Sequence, residues 1–237
     1  MKCLLSVCLI ALLAAAIVHV VEQSVDASQQ PAQALQRGVS VKMAGANNAQ
    51  PMPDADNADA WIVTVTAEGQ LYFGVDSLTP AALQQRMIRT PRKRTQRLYI
   101  KADARAPFAS VQKALNAAST AEFASPVLLV HQEGTASPGT IVSPQGLEII
   151  MDGVANSGAK SVVEVNYSAQ GSPTLKLDDQ EMPLADFQNR LGQLVQNRNE
   201  KKILLRADSR STFGVVAQVI DACRAAGVAV VVATPVV

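Results

Sequence analysis

The chain has 237 residues, 48% of them hydrophobic and 17% charged, and its 21 basic and 20 acidic side chains leave a formal charge of +1. That balance excludes a general electrostatic hold on nucleic acid, and three cysteines, two of them near the N-terminus, exclude a disulfide framework. The length suits one to two domains, each large enough to bury a core.

From Cys3 to Val21 the chain is apolar apart from Ser6 and His19, with Lys2 before the run and Glu22 after it. As a helix the run spans about 28 Å, between a signal-peptide core and a comfortable membrane span. Two readings of residues 1–21 therefore stand. One is an uncleaved signal anchor; the other is a signal peptide, for which Ala14 to Ala16 and Val25 to Ala27 supply small residues at the cleavage positions. The single basic flank directs the rest of the chain outward in both. Residues 22–60 are rich in Gln, Ala, Asn, Asp and Ser, with Pro31, Pro51 and Pro53, and read as a flexible linker.

A first unit occupies 61–131. Trp61 to Thr66 alternates β-branched residues as a strand does, Glu68 and Gly69 supply a turn, and Leu71 to Phe73 begins the return strand. Thr79 and Pro80 read as the N-cap and first residue of a helix with Leu83, Met87 and Ile88 inward. Leu98 to Ala102 is the next strand, Pro107 opens a helix carrying Val111, Ala114, Leu115 and Ala118, and Pro126 to Val130 closes the unit as a strand. Residues 132–160 form the connection: a Gly/Ser/Pro loop over Glu133 to Pro138, then Ser143 to Gly158, which resembles another copy of the second helix. That piece is either an insertion or the remnant of a third unit.

The second unit, 161–237, repeats the order. Strands run over Val162 to Tyr167 and Thr174 to Leu177 around a turn at Gln170 and Gly171. A helix from Pro183 carries Leu184, Phe187, Leu191 and Leu194, and a strand covers Ile203 to Arg206. A second helix through Val215, Val216, Val219 and Ile220 ends near Gly227 before the strand Val228 to Ala233. The repeat is carried most clearly by Leu98 to Phe108, which returns as Ile203 to Phe213 with Ala102 on Ala207, Asp103 on Asp208, Arg105 on Arg210 and Phe108 on Phe213. A shared offset over so many positions marks a duplicated unit. The expected fold class is α+β: two tandem β-β-α-β-α-β units, helices packed on a mixed sheet, after an N-terminal apolar helix.

Little in the chain points to catalysis. Asp103 and Asp208 follow strands in separate units, where an acid before a helix ordinarily accepts backbone N–H bonds, and Arg105 and Arg210 are placed to pair with them. His19 and His131 have no metal-ligand neighbours, Cys223 sits among alanines as a small buried hydrophobe, and neither a nucleophile elbow nor a phosphate loop is present. No catalytic residue, metal or cofactor is expected. The one basic cluster is Arg89, Arg92, Lys93, Arg94 and Arg97, a loop interrupted by Pro91. Arg92, Lys93, Arg94, Asp103 and Asp208 are accordingly the candidate interaction residues, the basic ones for an anionic envelope component.

The segments Val63 to Gly69, Ile100 to Asp103, Leu205 to Asp208 and Asp221 to Val228, in this order and largely in duplicate, resemble the ExbD/TolR family. The resemblance covers about 61–130 and 161–235. It implies a single-pass inner-membrane protein with a periplasmic portion, working beside a polytopic ExbB/TolQ-like partner. A TonB/TolA-like protein or peptidoglycan is a further implied contact, and the joint activity turns proton-motive force into work on the envelope. On this reading the chain is a non-enzymatic accessory subunit of a biopolymer transport complex. The alternative is an exported periplasmic binding module that recognises peptidoglycan or a protein without energy coupling.

Two departures matter. The family's membrane helix carries an aspartate, whereas Cys3 to Val21 has no acid and Glu22 lies at its edge. The family's members usually carry one periplasmic unit and dimerise, whereas this chain has two, so an internal pseudo-dimer is expected. Its interface is expected at an edge strand, with Val228 to Ala233 offering free backbone groups.

Overall fold

A computed structural model of the chain describes residues 38–93, 95–123, 125–132, 143–151, 159–167, 172–198 and 201–233. The N-terminal apolar run and the turn at Gln170 and Gly171 lie outside these residues. Among the described residues no helix is long and apolar enough to cross a membrane. All of them belong to one compact unit.

The first repeat is built from β2 (Trp61–Val65), β3 (Leu71–Phe73), β4 (Asp76–Leu78), α1 (Pro80–Arg89), β5 (Leu98–Ala102), α2 (Phe108–Thr120) and β6 (Val127–Val130). The second is built from β9 (Ser161–Tyr167), β10 (Pro173–Leu177), β11 (Gln180–Met182), α3 (Leu184–Arg198), β12 (Lys202–Ala207), α4 (Phe213–Ala225) and β13 (Ala229–Val232). The strand orders agree: β6-β5-β2-β3-β4 in one sheet, β13-β12-β9-β10-β11 in the other. In each the first strand pairs antiparallel with its hairpin partner and parallel with the third, as β2 with β5 and β9 with β12. The fold is thus α+β, with two mixed sheets and helices on them. β4 and β11 are short third strands that the sequence reading passed over, each antiparallel to its predecessor.

Local chemistry explains the helix ends. Thr79 Oγ1 accepts the Ala82 N–H at 3.2 Å and Pro80 takes the first helical position. Leu83 and Met87 of α1 are buried as expected, whereas Ile88 is 56% exposed. α2 and α4 close alike, by hydrogen bonds from Phe123 N–H to Ala118 O and from Val228 N–H to Cys223 O. The left-handed residue that this closure requires is Gly227, at φ 74°, in α4 and Glu122, at φ 61°, in α2.

Three expectations are corrected. Residues 22–60 are not linker throughout: Ala44, Ala46, Met52 and Ala55 are buried, β1 (Gln50–Pro51) pairs with β7 (Gln145–Glu148), and Met43 bridges Asp103. Apolar residues hidden among polar ones cover the outer face of the first sheet, where Met52, Ala55, Ile62, Tyr99, Val127 and Leu129 form a second small core.

The helix expected within 143–158 is not formed over 145–151, which holds β7 and β8 (Ile150–Met151). Leu147, Ile149 and Met151 are buried at a spacing of two, a strand period, and a Cβ on Gly146 would lie 2.4 Å from Val127 Cγ1. Last, the run Val228 to Ala233 is not a free edge. β13 pairs parallel with β8, Val231 opposite Ile150 and Val232 opposite Met151, just as β7 covers β6.

The repeats share one continuous core, in which Val63, Ile100, Phe108 and Leu115 join Val163, Leu205, Phe213 and Val219.

Candidate functional site

The duplicated Asp-x-Arg corners lie where each third strand runs into its second helix. The Asp103 carboxylate accepts hydrogen bonds from Arg105 N–H at 3.0 Å, Arg105 Nε at 2.9 Å, Arg105 Nη2 at 3.1 Å and the Lys42 N–H at 3.0 Å. The Arg105 side chain chiefly holds the carboxyl down at about 2; burial opposes this and the two backbone donors add to it. Asp208 repeats the arrangement with Arg210 N–H at 2.8 Å, Nε at 3.1 Å and Nη2 at 2.8 Å, and the Arg210 side chain likewise holds it at about 2. The corners differ in cover. The Asp103 side chain is 4% exposed beneath residue 42, and that of Asp208 is 22% exposed. Both acids serve the backbone turn before a helix, the role expected of them, and both arginines are spent on them.

Beyond these corners the two repeats meet. Phe108 N–H donates to Ser211 O and Phe213 N–H to Ala106 O, each at 2.8 Å, and Pro107 bridges Thr212 antiparallel. Ser211 is the repeat equivalent of Ala106, Phe213 of Phe108 and Thr212 of Pro107. The joint is therefore self-complementary about a pseudo-two-fold axis through Pro107 and Thr212, the relation of two subunits in a symmetric dimer. Neither α2 nor α4 has a side-chain N-cap. Their first N–H groups are satisfied across the axis instead, with Gly214 N–H adding a bond to Ala104 O at 2.8 Å. The sequence reading placed this joint on an edge strand and missed it. The coincidence of its best-matched segment with the joint was the available signal.

A strap over residues 42–48 ties the halves a second time. Lys42 holds Asp103 at one end. At the other, Asp221 of α4, 7% exposed, accepts the N–H groups of Asn47 and Asn48 at 3.1 and 2.7 Å and the Asn48 side-chain amide at 3.1 Å.

The basic loop is largely absorbed by the fold. Arg92 donates to Ala121 O at 2.7 Å and lies 4.0 Å over the Phe123 ring, Arg97 pairs with Glu148, and Lys93 is exposed. Arg94 lies outside the described residues. The structure does not bring this loop and the Asp corners together. Cys223 is buried and its thiol is pushed up to about 12, so it stays protonated. Among the described residues no group of His, Cys, Asp and Glu is placed to hold a metal ion.

A duplicated α+β unit folded into an internal pair, with the Asp103 and Asp208 carboxylates held by their own corners, defines a structural scaffold. The description "Biopolymer transport protein ExbD/TolR" belongs to the family whose sequence pattern matches residues 4–133 and 139–235, and the chain belongs to that family. No match was found among curated proteins or solved structures.

Proposed function

We propose that this chain is a non-enzymatic accessory subunit of a proton-motive-force-coupled envelope transport complex. Its N-terminal run anchors it once in the inner membrane, and both repeats lie in the periplasm. The observation that carries the reading is the extent of the family match: it begins at residue 4, inside the apolar run, and takes in both repeats. The partner is a polytopic ExbB/TolQ-like protein, with a TonB/TolA-like protein or peptidoglycan as the envelope contact.

Because Cys3 to Val21 carries no acid, the anchor tethers and does not relay protons, so the proton path lies in the partner. Fractionation of cells expressing a C-terminally tagged chain tests the reading. Full-length protein retained in the inner membrane and co-purifying with a polytopic partner is expected. A soluble product cleaved after Ala16 or Ala27 would contradict it and point to an exported binding module. Replacing the run with an unrelated anchor of equal length should preserve activity, and loss of activity at normal abundance would show that the run does more than tether.

A further inference from the structure

Among the described residues two large hydrophobic side chains are exposed, Val75 at 77% and Ile88 at 56%, and both lie at one end of the first repeat. Val75 forms, with Gly74, the two-residue turn between β3 and β4, where Phe73 pairs with Asp76. The Asp76 carboxylate meets Arg86 Nη2 of α1 at 3.7 Å, and the Arg86 guanidinium lies 5.9 Å from the Phe73 ring centroid. The turn is thereby tied to the last turn of α1, where Ile88 and Arg89 follow Arg86 within about 5 Å along the helix axis.

A single exposed apolar residue ordinarily needs no explanation, but two comparisons give this pair one. In the second repeat Phe187 and Leu191 stand where Leu83 and Met87 are buried in the first, which matches Ile88 and Arg89 with Gly192 and Gln193, and the turn residue Val75 with Asp179. Neither the hairpin nor the helix of this unit therefore needs an apolar side chain at these positions. The chain also enters the fold at this end. A Cβ on Gly38 would lie 3.0 Å from Gly74 O, and Gly38 lines one open groove with Val75, Asp76 and Arg86. Sixteen residues, 22–37, separate Gly38 from the apolar run, a reach of at most about 55 Å. Arg89 has no carboxylate within ion-pair distance among the described residues. Of the acids at this end, Asp76 is matched by Arg86, Asp59 is held by Gln96 Nε2 at 2.9 Å, and Asp54 lies on the segment that covers the opposite face of the sheet from α1.

We propose that this end of the first repeat rests on a bilayer surface containing anionic lipid, with Val75 and Ile88 entering the headgroup region and Arg89 meeting lipid phosphate. Apolar side chains beside an unpaired cation are what an interfacial contact requires, area for the acyl boundary and charge for the headgroups. Two such side chains bury too little to hold a free protein on a membrane. A chain tethered within about 55 Å needs no more, because the tether makes docking intramolecular. The inference rests on the anchoring by the apolar run proposed above.

Gln85 is exposed and shares a helix face with Ile88 and Arg89, and Asn189 is its exposed equivalent on α3. In a Cys3→Ser, Cys8→Ser background, with Cys223 buried and protonated, a fluorophore attached at Gln85→Cys reads this end and one at Asn189→Cys reads the second repeat. The full-length chain is reconstituted in vesicles of phosphatidylcholine and phosphatidylglycerol that carry a lipid-borne quencher. The Gln85 label is expected to be quenched and the Asn189 label not. Val75→Asp and Ile88→Asp change exposed residues and leave the core untouched, and each should lower the ratio of docked to free domain about tenfold. Arg89→Gln, or vesicles of phosphatidylcholine alone, should lower it about fivefold, the effect of one basic residue at an anionic surface. Equal quenching of the two labels would overturn the proposal, as would quenching at Gln85 that survives Val75→Asp and Ile88→Asp together or is the same without phosphatidylglycerol. Retention of the chain after an alkaline carbonate wash reads the anchor separately. A chain that washes off removes the anchoring reading on which the proposal rests, whereas a retained chain whose labels are quenched alike removes the docking alone.

Discussion

Asp103 and Asp208 occupy equivalent corners with unequal burdens. Asp103 supports its own turn and also receives the strap at Lys42; Asp208 supports only its turn and Arg210. Asp103→Ala leaves the Lys42 N–H unsatisfied at a buried corner and should cost about 2–3 kcal/mol in denaturant unfolding. Asp208→Ala, at a more open corner, should cost less than Asp103→Ala. Both carboxyls sit at about 2, below their unfolded value of about 3.9. Their contribution to stability is fully present above the unfolded value and is lost as pH falls from there through about 2. The melting temperature should therefore drop between pH 4 and pH 2, and either alanine variant should flatten that drop. An unchanged slope in both variants would contradict the assignment. The helix ends give a second contrast. Glu122 holds the left-handed conformation that Gly227 holds without strain, so Glu122→Gly should stabilise by about 0.5–1 kcal/mol and Gly227→Glu should destabilise by at least as much.

At the scale of elements, the strands and helices of both repeats were legible because alternation, Pro at helix starts and Gly at a helix end each act locally. The segment before β2, strap included, was not, because its apolar residues, Met43, Ala44, Ala46, Met52 and Ala55, follow no helical or strand period over their length. A signal for it did exist in its partners. Trp61–Val65, Leu98–Ala102 and Val127–Val130 are buried at every position, as strands covered on both faces are, whereas Ser161–Tyr167 and Lys202–Ala207 alternate. Something had to cover the first sheet, and the segment before it was the nearest chain. β7 and β8 were mistaken for a helix because a glycine-punctuated apolar run compared well with α4, although Leu147, Ile149 and Met151 keep a strand period. The Asp corners were legible as turn acids, because an acid two residues before an arginine at a strand-to-helix corner acts locally. The strap also yields a prediction. Asp221→Ala removes the acceptor for the Asn47 and Asn48 N–H groups, so hydrogen exchange at those two amides should accelerate while β2 and β5 stay protected, at a cost of about 1–3 kcal/mol. Unchanged exchange there would show that Asp221 does not hold the strap.

The whole molecule reads as a dimer written into one chain. Its two repeats share strand order, corner chemistry and helix closure, and they meet through backbone bonds that exchange under the pseudo-two-fold operation. A covalent connection raises the local concentration of one repeat for the other to roughly millimolar, and the starts of α2 and α4 are each capped by the opposite repeat. A Cβ on Gly214 would approach Ala104 O to 3.0 Å, so the joint leaves little room for a larger residue. Since the Pro107–Thr212 joint is consumed internally, a second chain cannot repeat that joint while it holds. Light scattering at micromolar concentration on a fragment beginning at Gly38, which keeps the strap and both sheets, tests this most directly. The account predicts the mass of a single chain, and a stable two-chain species would contradict it.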